Sequence, residues 1–495
     1  MPSPMHYADW LARHAATRPS KVAVATPNGR MTYAGLYRAL NAVAFRLTDA
    51  GIRRGETVAI CALNPTLAIV LIASLNRMGA VPLVTNRPLK PGVPIQLPDG
   101  LAIDRILVEQ PYKGEPAANA MEVHLDWLKI DPAVTRTFDG PGLADEHALA
   151  HIFTSSGTTG ALKAIGFSTT ELQARILKRS FGVFAGSRTS PLLCQFGLRS
   201  SIGYQAAFGS LWAGGTVYLG FADARVPQLV ARQGIERIEA SPAQFQGILE
   251  AIGSSRVDFS SLKFVLVGGS LISGRLVAAI RNRLCRTLIV QYGATELGMC
   301  AFGPIRASDP SGSCGHLVPW IEAEAVDGDG RVLDTGQAGT LRFRAPEMAK
   351  AYLNDPEATA AHFRNGWFYP GDLGAIGVAR TLTISGRESE VINAGGVKVA
   401  PQMIEKVVLA FPGVTDCASF GIADTMGIET IWAAIVANEK ADLTGLAKFC
   451  GAKLGARAPA RFLKLRQLPR NETGKVMHSE LQRLARNAAR ARVAG

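Results

Sequence analysis

The sequence predicts an α/β protein with two domains, a large amino-terminal one and a small mobile carboxy-terminal one. In the first 300 or so residues, strand-like and helix-like segments alternate. From about residue 313 the pattern changes to short, glycine-punctuated β-like segments. A βαβ alternation is typical of mostly parallel sheets covered by helices. We therefore expect mixed or parallel sheets layered with helices and a small β-rich subdomain in residues 1–386, followed by an α+β domain in residues 387–495.

The alternation begins near residue 21, and each segment has the composition expected for its type. Strand-like segments are short and rich in Val, Ile and Ala, whereas helix-like ones are longer and apolar on one face. In order, these segments are the strand "KVAVATP" (21–27), the helix "MTYAGLYRALNAVAFRLTDAG" (31–51), the strand "TVAICAL", the helix "TLAIVLIASLNRMG" and the strand "AVPLVTN".

The same alternation returns after residue 214. Its strands end in small residues or turns, at the edge where open α/β sheets bind ligands. The predicted elements are the strand "GTVYLG" (215–220), a helix over 226–233, the strand "RIEAS", a helix over 242–252, the strand "KFVLVGG" (263–269), a helix over 273–284 and the strand "TLIVQYG".

The last hundred residues predict a compact unit of both element types. "APQMIEKVVLAFPGV" is typical of a helix, "DCASFGIAD" and "TIWAAIVAN" of strands, and "LTGLAKFCGAKLG" of a helix. No low-complexity tether precedes this unit, so the boundary at Gly386-Arg387 is expected to act as a hinge.

Composition narrows the class of protein. The chain of 495 residues is 47% apolar and 19% charged, which is typical of globular proteins, and its net charge of +13 suits a protein that handles polyanions. Its basic residues are scattered, so we do not expect a nucleic-acid partner. The oligomeric state is left open.

Cysteine usage and the apolar segments indicate a cytoplasmic protein. The seven cysteines are far apart and form no C-x-x-C pair, which is typical of reduced thiols. Residues 1–20 carry several charges, so no signal peptide is expected. The most apolar run (59–75) is short and contains Asn64-Pro65, so no membrane span is expected either.

One stretch, "HIFTSSGTTGALKAIGFS" (151–168), concentrates small donors beside a single cation. Glycines let backbone N–H groups approach an anion, hydroxyls add donors, and Lys163 supplies a point charge. A Ser/Thr/Gly-rich surface loop has the same composition. The spacing differs from the P-loop pattern, because no glycine precedes Lys163 and Ala164 follows it. If the loop holds phosphates, it belongs to another ATP-using architecture.

Four further stretches occur downstream of this loop. They are "QYGATELG" (291–298), "NGWFYPGDLG" (365–374), "ISGRESEVINAGGVKVAPQMIE" (384–405) and "LPRNETGKVMHSEL" (468–481). In this order and spacing, the chain resembles the acyl-adenylate-forming enzymes, which include acyl-CoA synthetases, non-ribosomal peptide adenylation domains and luciferases. The resemblance covers nearly the whole chain and is greatest to a stand-alone acyl-CoA ligase.

The resemblance implies a two-step reaction. ATP and Mg²⁺ convert a carboxylic acid into an acyl-AMP with release of pyrophosphate, and the thiol of coenzyme A then attacks the acyl carbon. The loop in residues 151–168 resembles the family loop that binds the β- and γ-phosphates. Its residues are Thr154, Ser155, Ser156, Gly157, Thr158, Thr159, Gly160 and Lys163.

The second stretch implies the adenine and α-phosphate contacts. By resemblance, Tyr292 stacks on adenine, Thr295 donates to the α-phosphate, and Glu296 binds Mg²⁺ as a hard oxygen ligand. Taken alone, Tyr292 would be a core tyrosine and Glu296 a charge at a helix N-terminus. The remaining nucleotide-binding candidates in this stretch and in "VLVGGSLIS" (265–273) are Gly269, Ser270, Gln291, Gly293 and Ala294.

The last three stretches imply the ribose contacts and the mobile domain. By resemblance, Asp372 and Arg387 bind the ribose hydroxyls, and Lys475 bridges the carboxylate and the α-phosphate during adenylation. A domain rotation about a hinge at Ser389 then brings the loop at Gly395-Gly396 to a thiol tunnel. Outside this context, Lys475 would be a surface lysine in a turn.

The chain departs from the family pattern in ways that leave the acid undefined. Ala164, Pro370 and Ala351 replace a usual Gly, Thr and Gly, and Cys194 stands where many relatives have a histidine near the acyl pocket. The expected pocket is mainly apolar, which favours a medium-chain, branched or aryl acid, and Arg199 could meet a second polar group. The pocket candidates are Cys194, Phe196, Arg199, Gly268 and Met299.

Two other functions stay open at this point. The chain could be a stand-alone adenylation enzyme that loads the phosphopantetheine of a separate carrier protein. It could also be a nucleotide-binding homologue without activity, although Glu296, Asp372, Arg387 and Lys475 argue against this.

Overall fold

The structure is a computed structural model of the chain. It describes residues 7–86, 94–112, 114, 117–131, 133, 136–156, 162–183, 189–394, 397–423, 429–438, 441–471 and 474–493. The predicted α/β architecture is confirmed in these residues.

Helices cover the faces of the sheets, and several begin at the residue types that sequence reasoning expects. The third helix, for example, begins with Pro65, and the Asn64 side chain accepts hydrogen bonds from Thr66 N and Leu67 N. In the described residues the helices are α1 (Tyr7–Thr17), α2 (Tyr33–Asp49), α3 (Pro65–Met78), α4 (Thr169–Val183), α5 (Ser201–Trp212), α6 (Val226–Gln233), α7 (Pro242–Ile252), α8 (Gly274–Arg283), α9 (Pro356–His362), α10 (Pro401–Leu409), α11 (Leu443–Leu454) and α12 (His478–Val493).

The strands form four sheets in the described part of the chain. They are β1 (Val22–Thr26), β2 (Gly29–Thr32), β3 (Thr57–Cys61), β4 (Val81–Val84), β5 (Arg105–Glu109), β6 (Ala120–Val123), β7 (Leu149–Ser156), β8 (Leu162–Ser168), β9 (Leu192–Cys194), β10 (Val217–Leu219), β11 (Arg237–Ala240), β12 (Phe264–Val267), β13 (Leu288–Ala294), β14 (Gly298–Pro304), β15 (Ser313–Leu317), β16 (Glu322–Val326), β17 (Ala338–Arg344), β18 (Phe363–Arg364), β19 (Trp367–Phe368), β20 (Asp372–Ile376), β21 (Thr381–Arg387), β22 (Ile392–Ala394), β23 (Val397–Val399), β24 (Val414–Ala423), β25 (Glu429–Ala437) and β26 (Arg461–Leu465).

A six-stranded sheet contains the first βαβ units, in the order β6-β5-β3-β4-β7-β8. Its strands are parallel except for the last pair, β7 and β8, which is antiparallel. The stretch rich in Ser, Thr and Gly therefore connects two neighbouring antiparallel strands.

A second sheet of 15 strands joins the later βαβ units to the β-rich region. Strands β1, β10, β9, β11, β12 and β13 run parallel, and pairing becomes antiparallel from β13–β14 onward, through β15, β21, β20 and β17. The sequence predicted the β-rich region as a small subdomain. It is continuous with the parallel sheet because the β13–β14 hairpin pairs directly with it.

The carboxy-terminal part has a three-stranded sheet, β24-β25-β26, and the hairpin β22–β23. The hydrophobic clusters built from these elements contain buried residues from 392 onward, whereas the other clusters end at 384. The boundary at residue 386 stays a prediction, as does the hinge at Ser389, which lies in a short turn directly after β21. No helix in the described residues is long and apolar enough to cross a membrane.

Candidate active site

The candidate site lies at the carboxyl ends of the parallel strands and at the β13–β14 turn. Thr295 and Glu296 form this turn, between Ala294 at the end of β13 and Gly298 at the start of β14. The carboxyl edge of a parallel sheet is where open α/β folds place ligands. The predicted stretches that follow β12 and β13, and the stretch that leads into β20 at Asp372, are the ones gathered around this edge.

The Glu296 side chain is buried and held by two hydroxyl groups. Tyr352 Oη donates to Glu296 Oε1 at 2.8 Å, and Ser155 Oγ donates to the same oxygen at 3.4 Å. Burial raises the pKa of Tyr352, and the Glu296 carboxylate raises it further, so the hydroxyl stays protonated and remains a donor. The carboxylate therefore has a fixed direction, which a metal ligand requires.

Arg175, on α4, holds the backbone of this turn. Its Nη1 donates to Thr295 O at 2.8 Å and its Nη2 to Glu296 O at 2.7 Å, while Nε and Nη2 reach Glu347 O at 3.0 and 2.6 Å. The guanidinium carbon lies 3.8 Å from the ring centroid of Phe167, and burial lowers the pKa of Arg175 to about 10. One buried cation on α4 thus joins the β13–β14 turn to the backbone at Glu347.

Sequence reasoning missed Arg175, and it also missed the role of Tyr352. Both residues lie outside the quoted functional stretches, and Arg175 acts on carbonyl groups, which carry no sequence signal. Tyr352 occurs in "KAYLN", where only the substitution at Ala351 drew notice.

A second group lies where β20 pairs with β21. Asp372 and Arg387 are direct partners in this antiparallel register, and Arg387 Nε lies 2.9 Å from Asp372 Oδ1. Tyr292 Oη donates to Asp372 Oδ2 at 2.5 Å. Burial raises the pKa of Tyr292 well above its usual value, and the Asp372 charge adds to this, so the phenol remains a donor. The structure therefore brings together three residues that the sequence assigned to the nucleoside.

The predicted phosphate loop is described only at its two flanks. Thr154 and Ser155 lie half-buried at the end of β7, Ser156 ends that strand, and Lys163 pairs with Ser155 from β8. The Lys163 Nζ lies 4.8 Å from the ring centroid of Tyr352. The remaining predicted loop residues lie outside the described residues: Gly157, Thr158, Thr159 and Gly160.

The Lys163 ammonium faces the same group of side chains as Glu296. Burial lowers the pKa of Lys163, and the carboxylates of Glu296 and Asp355 act in the opposite direction. Tyr352 therefore links the two groups: its ring lies under the cation on β8, and its hydroxyl donates to the carboxylate of the β13–β14 turn.

Lys475 comes from the carboxy-terminal part, in the turn between β26 and α12. Its backbone N donates to Asn471 Oδ1 at 2.9 Å. The neighbouring Gly474 lies against Ser241, the N-cap residue of α7. The two are so close that a Cβ built at Gly474 would come within 2.6 Å of Ser241 Oγ. This contact places the turn against the amino-terminal part of the molecule.

The charges around Lys475 locate it in the same cleft. The residue as a whole is exposed to solvent, whereas the protein around its ammonium group desolvates that group. Burial lowers the pKa of Lys475, the Arg387 charge lowers it further, and the carboxylates of Asp372, Glu296 and Glu390 raise it. The ammonium of Lys475 is thus within electrostatic range of the carboxylates of Asp372 and Glu296. The other predicted residues of this part, Gly395 and Gly396, lie outside the described residues.

The acyl-pocket candidates divide into two groups. Phe196 and Gly268 are close together: a Cβ built at Gly268 would lie 3.9 Å from Phe196 Cζ and 3.0 Å from Ile202 Cδ1, a residue that the sequence did not indicate. Cys194 is 1% exposed and its Sγ donates to Phe196 O at 3.6 Å.

The other candidates are less closely placed. Met299 is buried on β14, and Arg199 is half-buried in the segment before α5. Gly269, next to Gly268, has a φ of 86°, a conformation that favours glycine. It lies with Ser270 in the half-buried turn after β12.

Comparison with known protein families identifies the chain's relationship. Residues 11–353 match the model of the AMP-binding enzyme family, and residues 403–475 match that of the AMP-binding enzyme C-terminal domain. The chain belongs to the AMP-binding enzyme family. The family predicted from the sequence is therefore confirmed.

Similar proteins and structures cover nearly the whole chain. A 4-chlorobenzoate–CoA ligase of an Arthrobacter species is 28% identical over 95% of this chain and 94% of its own, and an indoleacetate–CoA ligase of Aromatoleum aromaticum is 27% identical over 97% and 98%. The structure of an anthranilate CoA ligase in complex with anthranoyl-AMP has a TM-score of 0.82 at 20% identity and covers 99% of both chains. An o-succinylbenzoate CoA synthetase from Bacillus subtilis has a TM-score of 0.79 at 22% identity, covering 96% and 97%. These structural matches confirm the fold.

Proposed function

We propose that this chain is an AMP-forming ligase that joins an aryl carboxylic acid to coenzyme A. The observation that carries the proposal is the packing of the Lys475 turn on the amino-terminal part: Gly474 lies against Ser241, and the Lys475 ammonium is within electrostatic range of Asp372 and Glu296. The general activity is the one predicted from the sequence, and the comparisons confirm it: ATP activates a carboxylic acid as acyl-AMP, and coenzyme A accepts the acyl group. The use of ATP, Mg²⁺ and coenzyme A follows from it.

The residue roles in adenylation are part of the proposal. An oxygen of the substrate carboxylate attacks the α-phosphorus of ATP, and the bond to pyrophosphate breaks. Negative charge on the α-phosphate needs cations and donors that are already in place. Lys475 is suited to bridge the carboxylate and the α-phosphate, Thr295 to donate to that phosphate, and Lys163 with the neighbouring hydroxyls to hold the β- and γ-phosphates.

Glu296 is the proposed protein ligand of Mg²⁺. Its carboxylate is a hard oxygen donor, as Mg²⁺ prefers, and the hydroxyls of Tyr352 and Ser155 fix its direction through one oxygen. The ion, when bound, offsets the charge of the phosphates. Arg175 keeps Thr295 and Glu296 in a fixed relation to each other through their carbonyl groups.

The nucleoside is proposed to bind beside β13 and β20. Asp372 has both oxygens directed by Arg387 and Tyr292, so its carboxylate is prepared to accept the ribose hydroxyls. The backbone around it is lined by small residues that allow a flat base to approach. They are Gly269, Ser270, Gly293 and Ala294.

The second half-reaction is proposed to use a different arrangement of the two parts. The coenzyme A thiol gives up its proton, its sulfur forms a bond to the acyl carbon, and AMP leaves. In this proposal the carboxy-terminal part turns about Ser389, Lys475 moves away, and the loop at Gly395-Gly396 lines the path of the thiol.

An aryl acid is favoured among the acids that the sequence left open. The ring of Phe196 and the side chain of Ile202 lie against the backbone at Gly268, and these two apolar surfaces suit a flat ring. The printed names of the curated relatives, which include 4-chlorobenzoate, indoleacetate and 2-succinylbenzoate CoA ligases, support the same class.

A cytoplasmic location is also proposed. All seven cysteines are described, free and buried, which is the state expected in a reducing compartment. Burial raises the pKa of six of these thiols, so these six are not activated as thiolates. They are Cys194, Cys285, Cys300, Cys314, Cys417 and Cys450.

The test is to identify the acceptor and the nucleotide product together. The protein is incubated with ATP, Mg²⁺, a benzoate and either coenzyme A or a phosphopantetheine-bearing carrier protein, and the products are identified by mass spectrometry. We expect acyl-CoA and AMP in equal amounts. Acylation of the carrier with none of coenzyme A would establish the second candidate, an adenylation enzyme that loads a carrier. An absence of product with either acceptor would favour the inactive homologue.

A further inference from the structure

We propose that Gln291 makes the acyl pocket select an aryl acid with a hydrogen-bond-donating substituent, a hydroxyl or amino group. The inference rests on the proposed function, because it concerns the acid that the ligase activates. The sequence grouped Gln291 with the adenine-binding stretch, but the geometry of β12 and β13 points to a different task for its side chain.

The pairing of β12 with β13 fixes which way Gln291 points. Leu266 pairs with Ile289 and Val267 with Val290, so the next positions, Gly268 and Gln291, lie side by side. Side chains alternate between the faces of a strand. Val267 and Val290 pack into the cluster on the α6–α8 side of the sheet, whereas Leu266 and Ile289 pack into the cluster that contains α4 and α5.

Gln291 therefore projects toward the face on which Phe196 and Ile202 lie. Gly268, its neighbour in the register, contributes no side chain there, and a Cβ at that position would already be within 3.0 Å of Ile202 Cδ1. The side chains on this face of the sheet are thus interrupted at Gly268. The ring of Phe196, the side chain of Ile202 and the amide of Gln291 surround this position. This is the candidate acyl pocket.

The amide oxygen of Gln291 is buried without a hydrogen bond. The residue is 9% exposed, and its Oε1 accepts no hydrogen bond from any residue that the structure describes. A buried polar atom without a partner is costly, and native proteins rarely keep one without a reason. A substrate group that donates to this oxygen would supply the missing partner.

The charged residues below the pocket do not offer an equivalent acceptor. Glu239, two residues deeper on β11, pairs in the register with Cys194 and Leu266. Its two oxygens face cations: Oε2 accepts from Arg179 Nη2, and Oε1 lies 3.4 Å from Arg237 Nε. The Arg179–Glu239 ion pair is buried beneath the pocket and stabilises the residues around it. Selection by hydrogen bonding therefore falls to Gln291.

The experiment compares matched benzoates in ATP–pyrophosphate exchange. The panel contains benzoate and its amino, hydroxyl and methyl derivatives at each ring position. Methyl and hydroxyl groups are similar in size, so they separate hydrogen bonding from filling of space. For at least one ring position, we expect the amino or hydroxyl acid to exceed the methyl acid by about tenfold or more in kcat/KM.

Two variants assign that preference to the amide. Gln291→Leu should bring the ratio of hydroxyl to methyl acid close to one, mainly by improving the methyl acid. Ser210→Ala is the matched control, because Ser210 Oγ is also buried without a hydrogen bond but lies at the far end of α5, against Gly215. This control should leave the ratio unchanged.

The wild-type panel alone can overturn the inference. If methyl acids are activated as well as hydroxyl and amino acids at every position, Gln291 does not select the substituent although the ligase activity stands. The same conclusion follows if Gln291→Leu lowers all acids equally. If no acid in the panel supports exchange, the proposed function fails, and this inference fails with it.

Discussion

The two parts of the molecule that meet at the cleft hold their functional residues in different ways. Asp372 and Glu296, in the amino-terminal part, are buried, and each accepts a hydrogen bond from a tyrosine hydroxyl, of the half-buried Tyr292 and the buried Tyr352 respectively. Lys475 lies in an exposed turn, anchored by its backbone to Asn471 and by Arg470, whose Nη1 donates to Gly474 O at 2.8 Å. The fold of the amino-terminal part fixes the positions of the two carboxylates, whereas the position of the lysine depends on the orientation of the carboxy-terminal part.

This difference suits a reaction with two steps. A nucleotide must stay bound through both, so its contacts are best built into a rigid sheet. A residue needed in only one step can be delivered and withdrawn. The contacts between the two parts include Gly474 against Ser241 and Arg275 Nη1 to Val414 O at 3.2 Å, both of which a rotation would break.

The largest effect is expected for Lys475→Ala. Loss of a cation at the α-phosphate should lower acyl-AMP formation by about 3 kcal/mol, a few hundred-fold. Formation of acyl-CoA from supplied acyl-AMP should be nearly unchanged. The two half-reactions are measured separately on the same preparation.

A control variant distinguishes the loss of a lysine at the cleft from the loss of a lysine elsewhere in the carboxy-terminal part. Lys464→Ala removes an exposed lysine of β26, whose Nζ donates to Asn438 O, and should leave both half-reactions intact. If Lys475→Ala lowers the rates of both half-reactions equally, the claim that Lys475 acts in only one of them is wrong.

Glu296→Gln should have the next largest effect. It preserves shape and the acceptor oxygen for Tyr352 but removes the charge that would hold Mg²⁺, so adenylation should fall about a hundredfold. The loss should persist at every Mg²⁺ concentration, while the melting temperature stays close to that of the wild type. A large fall in melting temperature with normal activity per folded molecule would make Glu296 a structural residue.

Arg175→Met should weaken the site through the backbone. It leaves the carbonyls of Thr295, Glu296 and Glu347 without their shared donor, so we expect kcat to fall by about thirtyfold with some loss of stability. Arg175→Lys retains a cation and should recover part of kcat. If both variants change only the melting temperature, Arg175 stabilises the fold without positioning the turn.

The smallest effect concerns the stability of the carboxy-terminal part. Burial raises the pKa of Glu405 to about 7 from the usual 4.5, with Glu390 and Asp416 adding to the shift, while Ser419 N and Arg470 oppose it. The folded protein therefore keeps a proton that the unfolded chain loses. Stability from this group is complete below pH 4.5 and is lost as pH rises through 7.

Glu405→Gln should abolish this decline. Between about pH 5 and pH 8 its free energy of unfolding should rise relative to the wild type by on the order of 1 kcal/mol. Hydrogen exchange of the β24 and β25 amides measures the change in this part of the molecule. Glu480→Gln, at a half-buried residue paired with the exposed Arg483, is the control and should leave the slope unchanged. A wild-type stability that is flat over this range would contradict the assignment.

The sequence predicted most of the elements because their signals are local. Apolar alternation located β11, β12 and β13, and the Asn64-Pro65 pair located the start of α3. Tyr292, Asp372 and Arg387 were found because they occur in recurring stretches. Their mutual contact could not be found this way, since it depends on the register of β20 with β21.

Other features depended on geometry alone. Arg175 contacts carbonyl groups far away in sequence, and Gln291 is notable because its oxygen has no hydrogen bond in the described structure. The continuity of the 15-stranded sheet follows from one hairpin that no composition signal distinguishes. Sequence patterns identify residue types at a site, whereas burial and pairing decide which of them act together.

The central claim, that this chain activates an acid as its adenylate, is tested most directly by isotope exchange. The wild-type protein is incubated with ATP, Mg²⁺, labelled pyrophosphate and a benzoate, without coenzyme A. We expect label to enter ATP only when both the acid and Mg²⁺ are present, because formation of acyl-AMP is reversible. Release of ADP, or no exchange with any acid that the protein converts to a thioester, would contradict the account.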